Sequence, residues 1–147
     1  MMSDRMKQGR GNSEPLRVLL ANGSPVERNA LREAMLQMHF VEIVGEADTC
    51  NEALELLFRL RPDVVISAIH LGNEGGFELL RRCKRVVPQT VVILTSRLPN
   101  HFVEQAARIL GAALVCPIAD LLQLRVTLRD LWHTKSGAAA RQGRGKE

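Results

Sequence analysis

Aromatic residues and long apolar runs are both scarce in this sequence of 147 residues. It has no tyrosine and only 3% of its residues are aromatic, so we do not expect a surface that stacks several bases on aromatic rings. No apolar run approaches the roughly 20 residues that span a bilayer, and residues 1–15 lack the continuous apolar centre of a signal peptide. We therefore expect a cytoplasmic protein without membrane contact.

Cysteine and histidine give no sign of a metal or redox site. The three cysteines, Cys50, Cys83 and Cys116, form no C-x-x-C pair, and none of the four histidines lies at metal-ligand spacing from them. An odd, dispersed set of this kind is typical of reduced cytosolic thiols. The sequence predicts neither a metal site nor a cofactor.

The formal net charge of +4 is concentrated at the two ends of the chain. Residues 133–147 contain four cationic side chains and one anionic side chain, residues 1–15 contain three and two, and residues 16–132 are therefore neutral overall. We predict one domain over residues 16–132, a disordered arm before it and a flexible basic tail after it. Because a nucleic-acid-binding domain normally carries positive charge on its folded surface, nucleic acid is not expected as a partner.

Short apolar runs alternate along the chain with longer segments of helical periodicity. The apolar runs are residues 17–21, 41–47, 64–69, 91–95 and 114–116, and the helical segments are about 25–37, 50–60, 77–87, 100–110 and 119–132. Ser24 to Glu27 and Thr49 to Glu52 are capping boxes that predict the starts of two helices. This alternation predicts an α/β fold in which helices cover both faces of a parallel sheet, with the functional site at the carboxyl ends of the strands.

Several segments together resemble one known family. They are Arg17–Val26, Val44–Ala47, Asn51–Leu57, Arg61–Ile66, Gly76–Leu80, Val92–Ser96 and Gly111–Ala112. Residues 16–132 resemble the receiver domains of bacterial two-component response regulators. The resemblance implies a flavodoxin-like (βα)5 fold, with a doubly wound parallel sheet in the strand order 2-1-3-4-5.

The resemblance also implies where the phosphorylation pocket lies and what each of its positions holds here. The acidic pair after the first strand matches Asn22 and Gly23, and the aspartate that accepts the phosphoryl group at the end of the third strand matches Ala68. The hydroxyl residue that ends the fourth strand is retained as Thr95. The lysine that ends the fifth strand matches Ile118, and the aromatic switch position three residues earlier matches Val115.

The residues at these positions cannot perform the family's chemistry. The methyl group of Ala68 cannot form an aspartyl-phosphate, and Asn22 offers Mg²⁺ at most one neutral carbonyl oxygen. Ile118 supplies no positive charge for a phosphate. We expect no catalytic residue and no enzymatic activity, and we expect Ile118 to pack beside Ala68 so that the pocket is rebuilt as core.

Other polar residues near the strand ends leave alternatives open. Asp63 begins the third strand and so lies at the wrong end of the sheet. Three further acids could take part in metal or phosphate chemistry, one histidine could be phosphorylated and a hydroxyl pair could bind an anion, although ordinary loop or strand roles are favoured for all of them. These residues are Glu46, Asp48, Glu74, His70, Thr95 and Ser96.

We predict a phosphorylation-independent pseudo-receiver that acts by protein–protein interaction, with a histidine kinase or another regulator as its partner. The candidate interaction surface lies on the fourth and fifth helices and comprises Asn100, Glu104, Arg108, Arg125, Arg129 and Trp132. A homodimer through the same face is possible, since Leu124, Leu128 and Trp132 form either core or a dimer stripe. The basic run from Arg81 to Arg85 is either a solvated face or a docking patch.

Two functions of other classes are weighed against this prediction. A nucleic-acid-binding or scaffold protein would use the basic tails for phosphate contacts without reading bases. A hydrolase or nucleotide-binding protein of flavodoxin-like fold is disfavoured, because Ala21 to Pro25 has a single glycine and a proline where a phosphate-binding loop would be glycine-rich.

Overall fold

In the computed structural model, which describes residues 14–71, 75–98 and 100–145, five strands alternate with five helices. The strands are β1 (Leu16–Ala21), β2 (Val41–Ala47), β3 (Val64–Ala68), β4 (Val91–Ser96) and β5 (Leu114–Pro117). The helices are α1 (Pro25–Leu36), α2 (Cys50–Leu60), α3 (Gly75–Val86), α4 (His101–Ile109) and α5 (Leu121–Gly145). None of the helices in the described ranges combines the length and the hydropathy needed to cross a bilayer.

The strands form one parallel sheet in the order β2-β1-β3-β4-β5. This confirms the predicted flavodoxin-like topology, including the reversal of strand order at β1. All five residues of β3 are buried, as expected for a strand with a neighbour on each side and helices above and below it. The order reverses between β1 and β3, so the carboxyl ends of these two strands border the crevice in which such folds place their site.

The sheet separates two hydrophobic clusters. One cluster joins α2, α3 and α4 to one face of the sheet, with Leu57, Leu80 and Ala107 fully buried in it. The other joins α1 and α5 to the opposite face and contains Leu31 and Leu128. Helices therefore cover both faces of the sheet, as the alternating pattern predicts.

Both predicted capping boxes mark the starts of helices, although only the hydroxyl half of each box forms: Glu27 accepts from Asn22 and Glu52 from the Asp48 amide. The Ser24 hydroxyl accepts a hydrogen bond from the Glu27 amide at 3.2 Å, and the Thr49 hydroxyl accepts one from the Glu52 amide at the same distance. These bonds satisfy amide groups that have no partner inside the first turn of a helix. The starts of α1 and α2, and hence the loops that lead into them from β1 and β2, are fixed by this local chemistry.

The last helix does not end at Trp132 as predicted. It continues to Gly145, so the part of the predicted flexible tail over residues 133–145 is helical. The Lys135 ammonium group lies 2.9 Å from an Asp63 carboxylate oxygen and donates to the Pro15 carbonyl at 3.0 Å. The small residues after Ser136 suggested a flexible segment, but alanine is the strongest helix former and an anchored helix propagates through it.

The predicted arm before the domain lies mostly outside the described residues. Its last two residues, Glu14 and Pro15, are bonded to α5: the Trp132 indole N–H donates to the Glu14 carbonyl at 3.0 Å, and Lys135 holds the Pro15 carbonyl. The amino-terminal end of β1 is therefore attached to the last helix.

Candidate functional site

Four residues within one position of the carboxyl ends of β1, β3, β4 and β5 form a row along this edge of the sheet. Ala68 lies beside Thr95 in the register of β3 and β4, and Thr95 lies beside Cys116 in the register of β4 and β5. Ala21 pairs with Ser67, which places Asn22 next to Ala68. The row therefore reads Asn22, Ala68, Thr95, Cys116.

This register corrects the residue matched to the family's lysine. Strand β5 ends at Pro117, so Ile118 lies beyond it. In the register of β4 and β5, the residue next to Thr95 is Cys116. Counting three residues back from Cys116 gives Ala113 rather than Val115 for the aromatic switch position. Burial raises the pKa of the Cys116 thiol to about 11. The corrected position is therefore also without charge at neutral pH.

A cavity of about 590 Å³ opens above this row. Its lining residues are Asn22, Gly23, Ser24, Glu27, Asp48, Thr49, Ala68, Ile69, His70, Thr95, Ser96 and Arg97. The expectation that Ile118 packs beside Ala68 and closes the pocket is wrong, since Ile118 packs instead against the α1 and α5 cluster. A chain that turns away after Pro117 carries Ile118 off the cavity, which stays open with the Ala68 methyl group in its wall.

Asn22 and Gly23, which match the acidic pair, are both fixed by local contacts. The Asn22 side chain is buried; its oxygen accepts from the Ser24 amide at 2.8 Å and its amide group donates to Glu27 Oε1 at 3.2 Å. The side-chain oxygen, which a hard cation would prefer to the amide nitrogen, is thus already bonded to the Ser24 amide. A Cβ atom on Gly23 would lie 3.1 Å from the Asp48 carbonyl oxygen, so a longer side chain there requires the loop to shift.

The acids Glu46, near the end of β2, and Asp48, just after it, are paired with arginines of α1. Arg32 binds Glu46 through two nitrogens, at 2.8 and 2.5 Å, and Arg28 lies 3.2 Å from Glu46 and also pairs with Asp48. The hydrogen bonds from Arg32 hold the pKa of Glu46 below its usual range. Within the described ranges no group of three or more His, Cys, Asp or Glu side chains is arranged to hold a metal ion. Glu46 and Asp48 therefore tie α1 to β2 rather than standing as free loop carboxylates.

Glu46 is expected to make the fold more sensitive to acid. A carboxylate whose pKa is lowered on folding stabilises the protein above its unfolded pKa of about 4.3, and that stability is lost as pH falls through the lowered folded value. Glu46→Gln should therefore lose less stability than the wild type between pH 6 and pH 2, as measured by urea denaturation. Glu42→Gln, an exposed position on the same strand, is the control and should follow the wild type. Identical pH dependence in all three proteins would contradict the assignment.

The other polar candidates are separated by the structure. Thr95 is buried, Ser96 is partly buried and His70 is exposed, and all three line the cavity. Asp63 lies at the opposite edge of the sheet, where its carboxylate accepts from the Arg17 amide at 2.8 Å and pairs with Lys135. Glu74 lies outside the described residues. The sheet edge therefore brings Thr95, Ser96 and His70 together and leaves Asp63 with a purely structural role.

Half of the candidate interaction surface is used inside the domain. Asn100 caps α4, because its side-chain oxygen accepts from the Phe102 and Val103 amides. The Trp132 ring stacks on Phe40 at 5.5 Å, and the Arg129 guanidinium lies 5.8 Å from the centre of the Phe40 ring. Leu124 and Leu128 are buried, which assigns this stripe to the core. Glu104, Arg108 and Arg125 remain partly or fully exposed.

Exposed apolar side chains on α4 and α5 were missed by the sequence reasoning. Phe102 is 81% exposed and Ile109 79% exposed on α4, and Leu122 and Val126 are exposed on α5. Beside α4 lies a second cavity of about 660 Å³, whose wall includes Val115. Helical spacing alone could not separate these residues from core positions, because the short helix α4 buries only Ala107.

Comparison with known proteins identifies relatives of this chain. A family model described as "Response regulator receiver domain" matches residues 18–116. Protein-glutamate methylesterase/protein-glutamine glutaminase 1 of Syntrophus aciditrophicus is 32% identical over 115 residues, which is 78% of this chain and 32% of that protein. The chain spans about a third of the length of the curated relatives it matches.

Solved structures support the fold. The signal receiver domain of the response regulator NarL from Mycobacterium tuberculosis superposes with a TM-score of 0.76 at 24% identity, covering 82% of this chain and 98% of that one. A structure of two RcsB dimers bound to two parallel DNAs superposes with a TM-score of 0.75 at 22% identity, covering 82% and 62%. DNA binding is a property of RcsB there, so the absence of a nucleic-acid partner for the present chain stays a prediction without support from the comparisons.

Proposed function

The chain belongs to the response regulator receiver domain family, and from that premise we propose that it is a two-component receiver that acts by protein–protein contact without accepting a phosphoryl group at the end of β3. The single observation that carries this proposal is the identity of the residue there: Ala68 presents a methyl group to the cavity beside Thr95. Transfer of a phosphoryl group to a side chain requires a nucleophile, and a methyl group is not one.

The surroundings of Ala68 support the same proposal. Asn22 is engaged with Ser24 and Glu27, and the nearest acids after β2 are paired with arginines. Mg²⁺ needs free carboxylate oxygens to orient and neutralise a phosphoryl donor. The corrected lysine position, Cys116, is neutral at physiological pH because burial raises its pKa to about 11.

Receiver domains interact with kinases and regulators, and we propose that this one uses the side formed by α4 and α5. Phe102 and Ile109 are largely exposed on α4, and Arg108 of the same helix is also exposed. Apolar anchors flanked by an arginine are typical of protein–protein interfaces. The homodimer predicted through the same side stays a prediction. We propose no enzymatic activity for the described residues.

The test is to incubate the full chain with acetyl phosphate and Mg²⁺ and to measure its intact mass. We expect no adduct of about 80 Da, because the described edge of the sheet offers no carboxylate nucleophile at Ala68. A receiver domain that retains the aspartate serves as the positive control for the reagent. An adduct that peptide mapping places on an aspartate or glutamate near the cavity would overturn the proposal.

A further inference from the structure

The Glu27 carboxylate accepts hydrogen bonds from side chains on two sides of the cavity. Glu27 Oε1 accepts from the Asn22 amide group at 3.2 Å, and Glu27 Oε2 accepts from Arg97 Nε at 2.5 Å. Glu27 is only 20% exposed, and Asn22 is buried. Glu27 therefore lies in the cavity wall, whereas the side chain of its partner Arg97 is 72% exposed.

The position of Arg97 gives this contact a structural consequence. Arg97 follows directly after β4 and begins the segment that leads into α4, whereas Glu27 lies in the first turn of α1. The two helices pack on opposite faces of the sheet, with Ala107 of α4 in one cluster and Leu31 of α1 in the other. The pair thus passes over the carboxyl edge of the sheet and links elements 70 residues apart in sequence.

Arg97 also connects the two cavities. Together with Ile69, His70 and Ser96 it lines both the cavity above Ala68 and the second cavity beside α4. A side chain held toward Glu27 is held toward the first cavity, so the contact restrains Arg97 three residues before Asn100, the residue that caps α4. The contact therefore acts on the side of the domain that we propose for partner binding.

We propose that Glu27 serves as a built-in anion which, through Arg97, fixes the carboxyl end of β4 relative to α1, so that the start of α4 keeps one arrangement without a phosphoryl group. This inference rests on the proposed function, because a receiver that takes no phosphoryl group at Ala68 needs another contact to order this edge of the sheet. Asn22, at a position where the family has an acid, donates to Glu27 and orients it.

The test measures hydrogen exchange by NMR in the full chain. The informative amides are those of Phe102, Val103 and Glu104, which are bonded to Asn100 at the start of α4. In Glu27→Gln and in Arg97→Gln, we expect these amides to exchange about two- to fivefold faster, as fits the loss of one partly exposed ion pair. Wild-type protein in high salt should change in the same direction, because salt screens the pair.

Matched controls make the result specific. Glu33→Gln removes an exposed acid from the same helix, and Arg59→Gln removes an exposed arginine from α2, and neither should change these amides. The Gln123 amide, bonded to Asp120 at the start of α5, is an equivalent cap away from the contact and should keep its rate. Unchanged rates at the start of α4 would overturn the proposal, and so would an equal acceleration at Gln123, which would indicate general loss of stability.

The two proposals can fail separately. A mass adduct with acetyl phosphate overturns the phosphorylation-independent function. The exchange measurement then still tests whether the contact between Glu27 and Arg97 orders the start of α4. Unchanged exchange in the Glu27 and Arg97 variants overturns the built-in anion, while the absence of an adduct still supports the proposed function.

Discussion

Replacing Phe40 with alanine is expected to lower the free energy of unfolding by about 3–5 kcal/mol. Phe40 is 1% exposed and lies in the cluster beneath α1 and α5. Its ring stacks on Trp132 with an interplanar angle of 26°, and the Arg129 guanidinium lies over the ring at 5.8 Å from its centre. Truncation removes buried apolar surface, leaves a cavity and deprives Trp132 of its stacking partner.

The measurement is equilibrium urea denaturation followed by far-UV circular dichroism, so that loss of Trp132 fluorescence contrast does not affect the signal. Phe102→Ala is the matched control, because this phenylalanine is 81% exposed on α4 and its truncation should change stability by no more than about 0.5 kcal/mol. Equal losses in the two variants would contradict the assignment of Phe40 to the core and of Phe102 to the surface.

Gly76→Ala is expected to cost about 3 kcal/mol, the upper end of the range for overpacking. A Cβ atom at this position would lie 2.3 Å from the Ala68 carbonyl oxygen, and the Gly76 amide already donates to the Ile69 carbonyl at 2.8 Å. The clash is with backbone at the end of β3, so no side-chain rotation can relieve it. Either α3 or the wall of the cavity has to move.

Gly45→Ala provides the comparison for this prediction. A Cβ atom there would meet methyl groups of Leu60 at 3.1 Å and Leu19 at 3.3 Å, and the ends of leucine side chains can shift by a few tenths of an ångström. We expect a loss below about 1 kcal/mol for this variant in the same denaturation assay. A Gly76→Ala protein as stable as Gly45→Ala would show that α3 does not approach β3 as closely as described.

The fold was predictable because its signals are local. The caps at Ser24 and Thr49 are each complete within four residues of sequence, and both begin helices as predicted. Apolar runs such as Val64–Ala68 predict strands that are buried on both faces. The end of α5 was missed because it depends on Lys135 reaching Asp63, a contact between residues 72 positions apart.

The site was predictable only in part, for the same physical reason. Asn22, Ala68 and Thr95 could be placed because each closes a strand whose end is visible in the sequence. Ile118 was misplaced because β5 is too short for a pattern to fix its last residue, and the sheet register was needed to identify Cys116. The contact of Glu27 with Arg97 had no sequence signal, since Arg97 follows β4, 70 residues further along the chain, and no periodicity relates the two.

The attachment of α5 to the start of β1 decides how the fold carries mechanical load. Trp132 and Lys135 hold the carbonyl groups of Glu14 and Pro15, and β1 is hydrogen-bonded to a neighbour along each of its edges. Tension on α5 at Lys135 would therefore reach β1, in the interior of the sheet, through these two side chains.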